Sequence, residues 1–320
     1  MTFRHASALG AALLLAACGG DSKPKKEDPL PPTEVDCKAG TATVSGTFTS
    51  PNGEVPVAGG LVTIASAPGC TGSTSGTGGF LLQNVPATAT TVTATRGRFH
   101  GSAPVTPGTP VVVHVPADSV KIAHVPGDFD AIEAVVQRLG FTSTAISMSD
   151  VATANLSQYD LILLNCGLDE AYSDDAATKT ALTGWVTAGG LLYASDYAGL
   201  YVDAFWSGKV KYLTPDMYQG VDGLQTAKVE DEALTRALGK TTAEINFDLG
   251  AWVVMNGVGS GADVLLSGPV ETYDAGNLTG KPYAVQFASG AGRVTYTSFH
   301  EEAQTTADMD TLLEQMVFGL

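Results

Sequence analysis

Positive charge is scarce in this chain. Seventeen Lys and Arg stand against 33 Asp and Glu, a formal net charge of −16 over 320 residues. A surface of that sign repels phosphate backbones and excludes nucleic acid as a partner. It also offers no basic patch to an anionic membrane surface. Cysteine is scarce too. The four present are too few for a disulfide scaffold and lack the C-x-x-C spacing of a zinc site. What the chain does have is bulk. At 44% apolar residues it is no disordered polymer, and its length suggests about two domains at ~150 residues each.

Residues 1–17 read as a targeting segment. Arg4 and His5 make a short polar start, and residues 6–17 are apolar apart from Ser7 and Gly10. That run is shorter than the ~20 residues a bilayer-spanning helix needs, and it suits a signal h-region. It ends in Leu15-Ala16-Ala17-Cys18, which resembles the lipobox of bacterial lipoproteins. The resemblance implies cleavage before Cys18, lipidation of its thiol and export. Membrane contact then comes through that lipid, because stable anchoring needs more than one acyl chain. Gly19 stands where an Asp is associated with inner-membrane retention, which favours the outer membrane. Residues 18–36 are the lipidated Cys and a Pro-, Gly- and charge-rich linker that cannot form a core.

The remaining charge is unevenly divided. Residues 37–117 carry three basic groups (Lys38, Arg96, Arg98) and one acid (Glu54), whereas residues 118–320 carry ten basic and 27 acidic groups. Such asymmetry predicts two units.

Residues 37–117 read as all-β. Strand candidates at 42–49, 61–65, 79–83, 91–96 and 111–115 are separated by turns such as Pro51-Asn52-Gly53 and Thr77-Gly78-Gly79. That spacing predicts a small sandwich. The stretches VSGTFTSPNGEVPVAGGLVTI and TSGTGGFLLQNVPATATTVTATRG resemble the carboxypeptidase regulatory-like domain, a transthyretin-like, Ig-like fold. Small polar residues replace the family's Asp at residues 74–80, and its P-x-G-x-Y element has no aromatic at residues 86–92. The resemblance implies a structural or binding module without peptidase activity. Cys37 and Cys70 can pair in an exported protein, closing a loop of about 33 residues and contributing roughly 3–4 kcal/mol in the chain-entropy picture. Two unpaired thiols are the alternative.

Residues 118–320 alternate strand and helix. A strand at 120–125 is followed by a helix with Ile132, Val135, Val136 and Leu139 at i, i+3, i+4 and i+7, closed by Gly140. A strand at 144–148 comes next. Residues 159–165 (YDLILLN) form a continuous apolar run, as a strand covered on both faces requires. Ser173 is the expected cap of a second helix, with Asp174 and Asp175 in its first turn and Leu182, Trp185 and Val186 facing inward. Further strands are expected at 191–194, 244–247, 252–255, 264–266, 283–287 and 294–298. A last helix begins at Ala307, with Thr305 and Asp308 as its capping box. The pattern predicts a doubly wound, three-layer, flavodoxin-like α/β sheet.

In such sheets ligands bind beyond the carboxyl ends of the strands. The residues there are Asp128 and Asp130, Cys166 and Gly167, Ser195, Asp196 and Tyr197, and His300, Glu301 and Glu302. The arrangement resembles the class I glutamine amidotransferase-like superfamily, including its ThuA-like branch. In active members a Gly-Gly precedes a strand ending in G-x-C-x-G, whose Cys is the nucleophile. The matching stretch here runs from Gly189-Gly190 to Asp196-Tyr197-Ala198 and puts Asp196 at the nucleophile position. The family's late H-P-E becomes His300-Glu301-Glu302, so the resemblance keeps a base and its orienter and loses the thiol. A carboxylate cannot form the γ-glutamyl thioester of glutamine hydrolysis, so glutaminase activity is not expected.

Three functional readings follow. The first is a pseudoenzyme acting in binding or scaffolding at the cell envelope, with an envelope protein or glycan as partner. The second is an envelope hydrolase using Asp196, His300 and Glu302. The third is a carbohydrate-binding surface protein, with Tyr197, Tyr201, Trp206 and Tyr212 as stacking aromatics. The strand-end carboxylates with His300 would also suit a hard divalent cation; no cofactor beyond that is expected. Cys166 is either a nucleophile beside His300 or a small buried hydrophobe. Structural roles are open to the other site residues as well: Asp128 as a helix cap, Asp196 as an acceptor for turn N–H groups, His300 paired with Glu302, and the aromatics as cover for the sheet face or part of an inter-domain contact.

Overall fold

The computed structural model describes Pro32, residues 34–300 and residues 305–319. The signal segment, Cys18, Glu301 and Glu302 lie outside the described residues.

Eight strands come first: β1 (Glu34–Asp36), β2 (Ala42–Thr49), β3 (Leu61–Ile64), β4 (Ala67–Ser73), β5 (Gly79–Val85), β6 (Thr91–Arg96), β7 (Phe99–Pro104) and β8 (Val111–His114). They form two four-stranded sheets, β1-β5-β2-β8 and β4-β3-β6-β7. Period-2 alternation aims Val44, Phe48, Leu82 and Val113 of one sheet and Val62, Ile64, Val92 and Ala94 of the other into a shared core. A disulfide joins Cys37 to Cys70, with Cα atoms 5.0 Å apart. Strands β1, β4 and β7 were not expected. Their sequences (EVD, APGCTGS, FHGSAP) are short or rich in Gly and Pro, and only pairing with neighbours makes strands of them.

The second part of the chain contains β9 (Ile122–Val125), α1 (Glu133–Arg138), β10 (Ser143–Ala145), β11 (Leu161–Leu164), α2 (Ala176–Thr187), β12 (Leu191–Ser195), α3 (Gly199–Phe205), β13 (Val210–Tyr212), β14 (Tyr218–Gly220), β15 (Gly223–Val229), α4 (Glu232–Leu238), β16 (Thr242–Phe247), β17 (Trp252–Val253), β18 (Met255–Val258), β19 (Ala262–Glu271), β20 (Asn277–Ser289), β21 (Gly292–Thr297) and α5 (Ala307–Gly319). Nine strands make one mixed sheet, ordered β10-β9-β11-β12-β21-β20-β19-β15-β16. The first five are parallel. The remaining four pairings are antiparallel. Four reversals in succession bring β16 back to the direction of β21, so the two strands end at the same edge.

The apolar run of β11 is buried on both faces, as its continuity demands. Leu161 and Leu163 enter the core that continues into the first eight strands, and Ile162 and Leu164 enter the core on the opposite face. Helix α5 lies at the junction. Phe318 and Phe141 pack edge-on against Phe99 of β7 and lie tilted against each other. Gln315 donates to the Pro56 carbonyl and accepts from the Ala58 N–H.

Several expected details are corrected. The cap of α2 is Asp175, which accepts from the Thr178 N–H, not Ser173. The hydroxyl at the start of α5 is that of Thr306, which accepts from the Met309 N–H; Thr305 bonds Asp310 instead, and Asp308 turns to Lys240. The expected strand at 252–255 is split between β17 and β18, which pair with different partners. Among the described residues no helix is long and apolar enough to cross a membrane.

Candidate functional site

Three neighbouring parallel strands, β11, β12 and β21, each deliver one chemically active side chain just past the same edge: Cys166, Asp196 and His300. Cys166 follows the apolar strand β11 and is itself buried. Asp196 ends β12 at a sharp turn into α3, with φ of +39°. That left-handed conformation is uncommon for a non-glycine residue and costs on the order of 1–3 kcal/mol. The turn closes because Ala198 and Gly199 are small: a Cβ on Gly199 would meet the Tyr296 hydroxyl at 2.5 Å.

The Asp196 carboxylate is 3% exposed and fully engaged. Its Oδ1 accepts from the Val253 N–H at 2.8 Å. Its Oδ2 accepts from the Cys166 thiol at 3.5 Å and lies 3.7 Å from His300 Nδ1. The Tyr296 hydroxyl donates to its backbone carbonyl at 2.9 Å. A buried carboxylate needs this many favourable groups, because losing water costs several kcal/mol per ion. The acceptor role expected of Asp196 is thus directed to strand β17.

His300 is 7% exposed. Its Nε2 lies 3.4 Å from Asp248 Oδ1. Neither ring nitrogen makes a hydrogen bond among the described residues. Burial pulls the imidazole pKa down, but the nearby carboxylates of Asp196, Asp130 and Asp248 outweigh it, and the net direction is up. The Cys166 thiol is driven the other way in reactivity. Burial, then the Asp196 and Asp130 charges, push its pKa far above the ordinary thiol value and keep it protonated. A protonated, buried thiol is a poor nucleophile, which favours the reading of Cys166 as a small buried hydrophobe.

Asp130 sits beside the cluster rather than in it. It is buried, accepts from the Ala131 N–H at 2.7 Å and accepts from the Ser195 hydroxyl. Asp128 does not cap α1; it is exposed, and among the described residues no side chain caps that helix. Gly167 allows the loops after β9 and β11 to meet. Its φ is +84°, and a Cβ there would lie 2.7 Å from the Phe129 ring and 2.8 Å from the Asp128 nitrogen. Tyr197 is half-buried and packs edge-on against Phe129 and Tyr218, so it does lie on the rim. Trp206 does not. It is 7% exposed, donates to Ser289 Oγ and packs near Phe205 and Phe287. Ser289 pairs with Gly292 at the start of β21, the edge opposite His300. Tyr201 and Tyr212 are buried as well. The expected aromatic platform is therefore core, apart from Tyr197.

Two further members, Asp248 and Asn165, were not anticipated. Asp248 follows β16 directly, and the strand-end rule finds it once β16 is known to run with β21. Asn165 donates to the Asp130 carbonyl at 3.2 Å and to Glu133 Oε2 at 2.8 Å. A groove of about 240 Å³ lies elsewhere, between the first eight strands and α4 and α5, lined by Val55, Pro56, Thr77, Arg236, Thr311 and Gln315.

No family model matches the sequence, and no curated protein matches it. Solved structures similar in fold include ThuA-like and glutamine amidotransferase proteins. A ThuA-like protein from Parabacteroides merdae is 16% identical with a TM-score of 0.46, covering 61% of this chain and 88% of its own. A glutamine amidotransferase from Thermotoga maritima is 9% identical with a TM-score of 0.40, covering 57% and 75%. A cytoplasmic protein from Salmonella typhimurium is 10% identical with a TM-score of 0.44, covering 62% and 97%.

Proposed function

We propose that this chain is a lipid-anchored cell-envelope protein that binds or scaffolds, with a transthyretin-like sandwich next to the anchor and an amidotransferase-like domain without glutaminase activity. The observation that carries the reading is the state of Asp196. The group at the nucleophile position is buried, and both its oxygens are already committed to Val253, Cys166 and His300. Such a carboxylate supports the strand edge rather than attacking a substrate. The anchor rests on the lipobox at Cys18 and places the protein on the outer membrane where the cell has one. For a partner, the rim of exposed Phe129, half-buried Tyr197 and exposed Asp128 has the mixed aromatic and acidic character that suits a glycan.

The hydrolase reading keeps one observation in its favour. Asp196 holds a left-handed φ at a strand-to-helix turn, and backbone strain of that kind collects at functional sites. A hydrolase screen on wild type, Asp196→Asn and His300→Ala separates the two. The scaffold reading expects equal background rates in all three and a lower Tm in both variants. Turnover by wild type that either variant abolishes would overturn it. Glycan-array binding that Phe129→Ala weakens tests the partner class, and binding indifferent to that change removes the rim from the argument.

A further inference from the structure

The cluster of Cys166, Asp196 and His300 brings together the sulfur, oxygen and nitrogen donors of a metal centre. Their donor atoms all lie within 4.8 Å of one another. Metal–ligand bonds of about 2.0–2.3 Å at tetrahedral angles separate neighbouring donors by about 3.3–3.6 Å. Here Cys166 Sγ and Asp196 Oδ2 are 3.5 Å apart, and Asp196 Oδ2 and His300 Nδ1 are 3.7 Å apart.

A second observation is independent of that spacing. His300 is buried, with 6% of its side chain exposed, and neither of its nitrogens is hydrogen-bonded among the described residues. Burying two polar nitrogens without hydrogen bonds costs free energy. An ion bound at Nδ1 satisfies one of them. The Nε2 proton then points to Asp248 Oδ1 at 3.4 Å, the carboxylate–histidine–metal relay that fixes tautomer and ring orientation. Asp196 is held likewise: its Oδ1 is bound by the Val253 N–H, leaving Oδ2 aimed at the other two donors.

We propose that Cys166, Asp196 and His300 bind a borderline divalent ion of the zinc or cobalt class, with Asp248 as the positioning residue for His300. Sulfur, nitrogen and a single carboxylate select such an ion over calcium or magnesium, which require more oxygens. This differs from the hard cation expected at a ring of strand-end carboxylates. The Cys166 thiol releases its proton to solvent as the metal–sulfur bond forms. Three protein donors leave the fourth tetrahedral position to water. The proposal goes beyond the binding or scaffolding reading and does not rest on it, since an ion would brace this edge in either a silent or an active protein.

The test is cobalt(II) titration of the full chain after chelator treatment. One equivalent is expected to produce the visible absorption of tetrahedral cobalt and a near-ultraviolet thiolate charge-transfer band, and zinc should bleach both. Cys166→Ser should lose the charge-transfer band. Asp248→Asn, which keeps all three ligands, should bind about 10-fold more weakly. A Cys166→Ser chain that fails to fold leaves the Asp248→Asn comparison decisive. Absence of the band in wild type, a band unchanged in Cys166→Ser, or unchanged affinity in Asp248→Asn overturns the proposal. The hydrolase and glycan assays contain no cobalt, so their outcome is separate.

Discussion

Asp196, Cys166 and His300 are individually ordinary, and their chemistry comes from enclosure. The same carboxylate raises the pKa of both its neighbours, favouring an imidazolium on one side and an un-ionised thiol on the other. One consequence concerns Cys166 alone. With its sulfur buried, it should resist iodoacetamide at pH 8 in the native chain, with or without chelator, and react once the chain is unfolded. Peptide-resolved mass spectrometry checks this, and rapid native labelling of Cys166 would show that the site is open. Asp196, Cys166 and His300 were legible in the sequence because each lies within three residues of the carboxyl end of a strand. Trp206 stayed open between rim and core, because a run of aromatics after a strand does not reveal which side of the sheet they cover; it is core.

At the scale of elements, α1, α2 and α5 were legible, with the caps of α2 and α5 misplaced by a residue or two, whereas the short helices α3 and α4 were not expected. Boundaries shifted because competing cap residues stand side by side, as Ser173 does with Asp175 and Thr305 with Thr306. Asp175 now carries a pH prediction. The hydrogen bond from the Thr178 backbone N–H lowers the carboxyl pKa below its ordinary 3.8. A folded-state pKa below the unfolded one contributes stability at pH values above the unfolded value, and that stability is lost as pH falls through the folded value. Asp175→Ala should therefore lower Tm at neutral pH, with the difference from wild type shrinking as pH drops below 3.8. A series of melts across acid pH reads it directly; a difference independent of pH would show that the cap's charge is irrelevant. In α5 the expected apolar stripe is present, but Gln315 is buried too. A buried glutamine on a helix flank needs partners, and it finds them on the Pro56–Ala58 segment.

Across the whole molecule, the basic first unit and the acidic second one share one apolar core. The charge division predicted two units from composition, and the packing ties them together through α5. Phe318→Ala should cost about 3–5 kcal/mol, the usual range for emptying a buried aromatic site. Because Phe318 touches Phe99 as well as Phe141, both parts are expected to melt in a single transition that moves as one. Calorimetry resolving two transitions, with only one displaced, would show that the parts unfold independently. What the sequence determined by itself is local: hydrophobic period, turn chemistry and cap residues act over a few neighbours, and they were enough to mark the principal strands and the alternation of strand and helix. What only the tertiary structure decided is convergence. Asp248 reaches His300, and Val253 reaches Asp196, only because four antiparallel pairings return β16 to the direction of β21. No local signal records which strands will lie side by side.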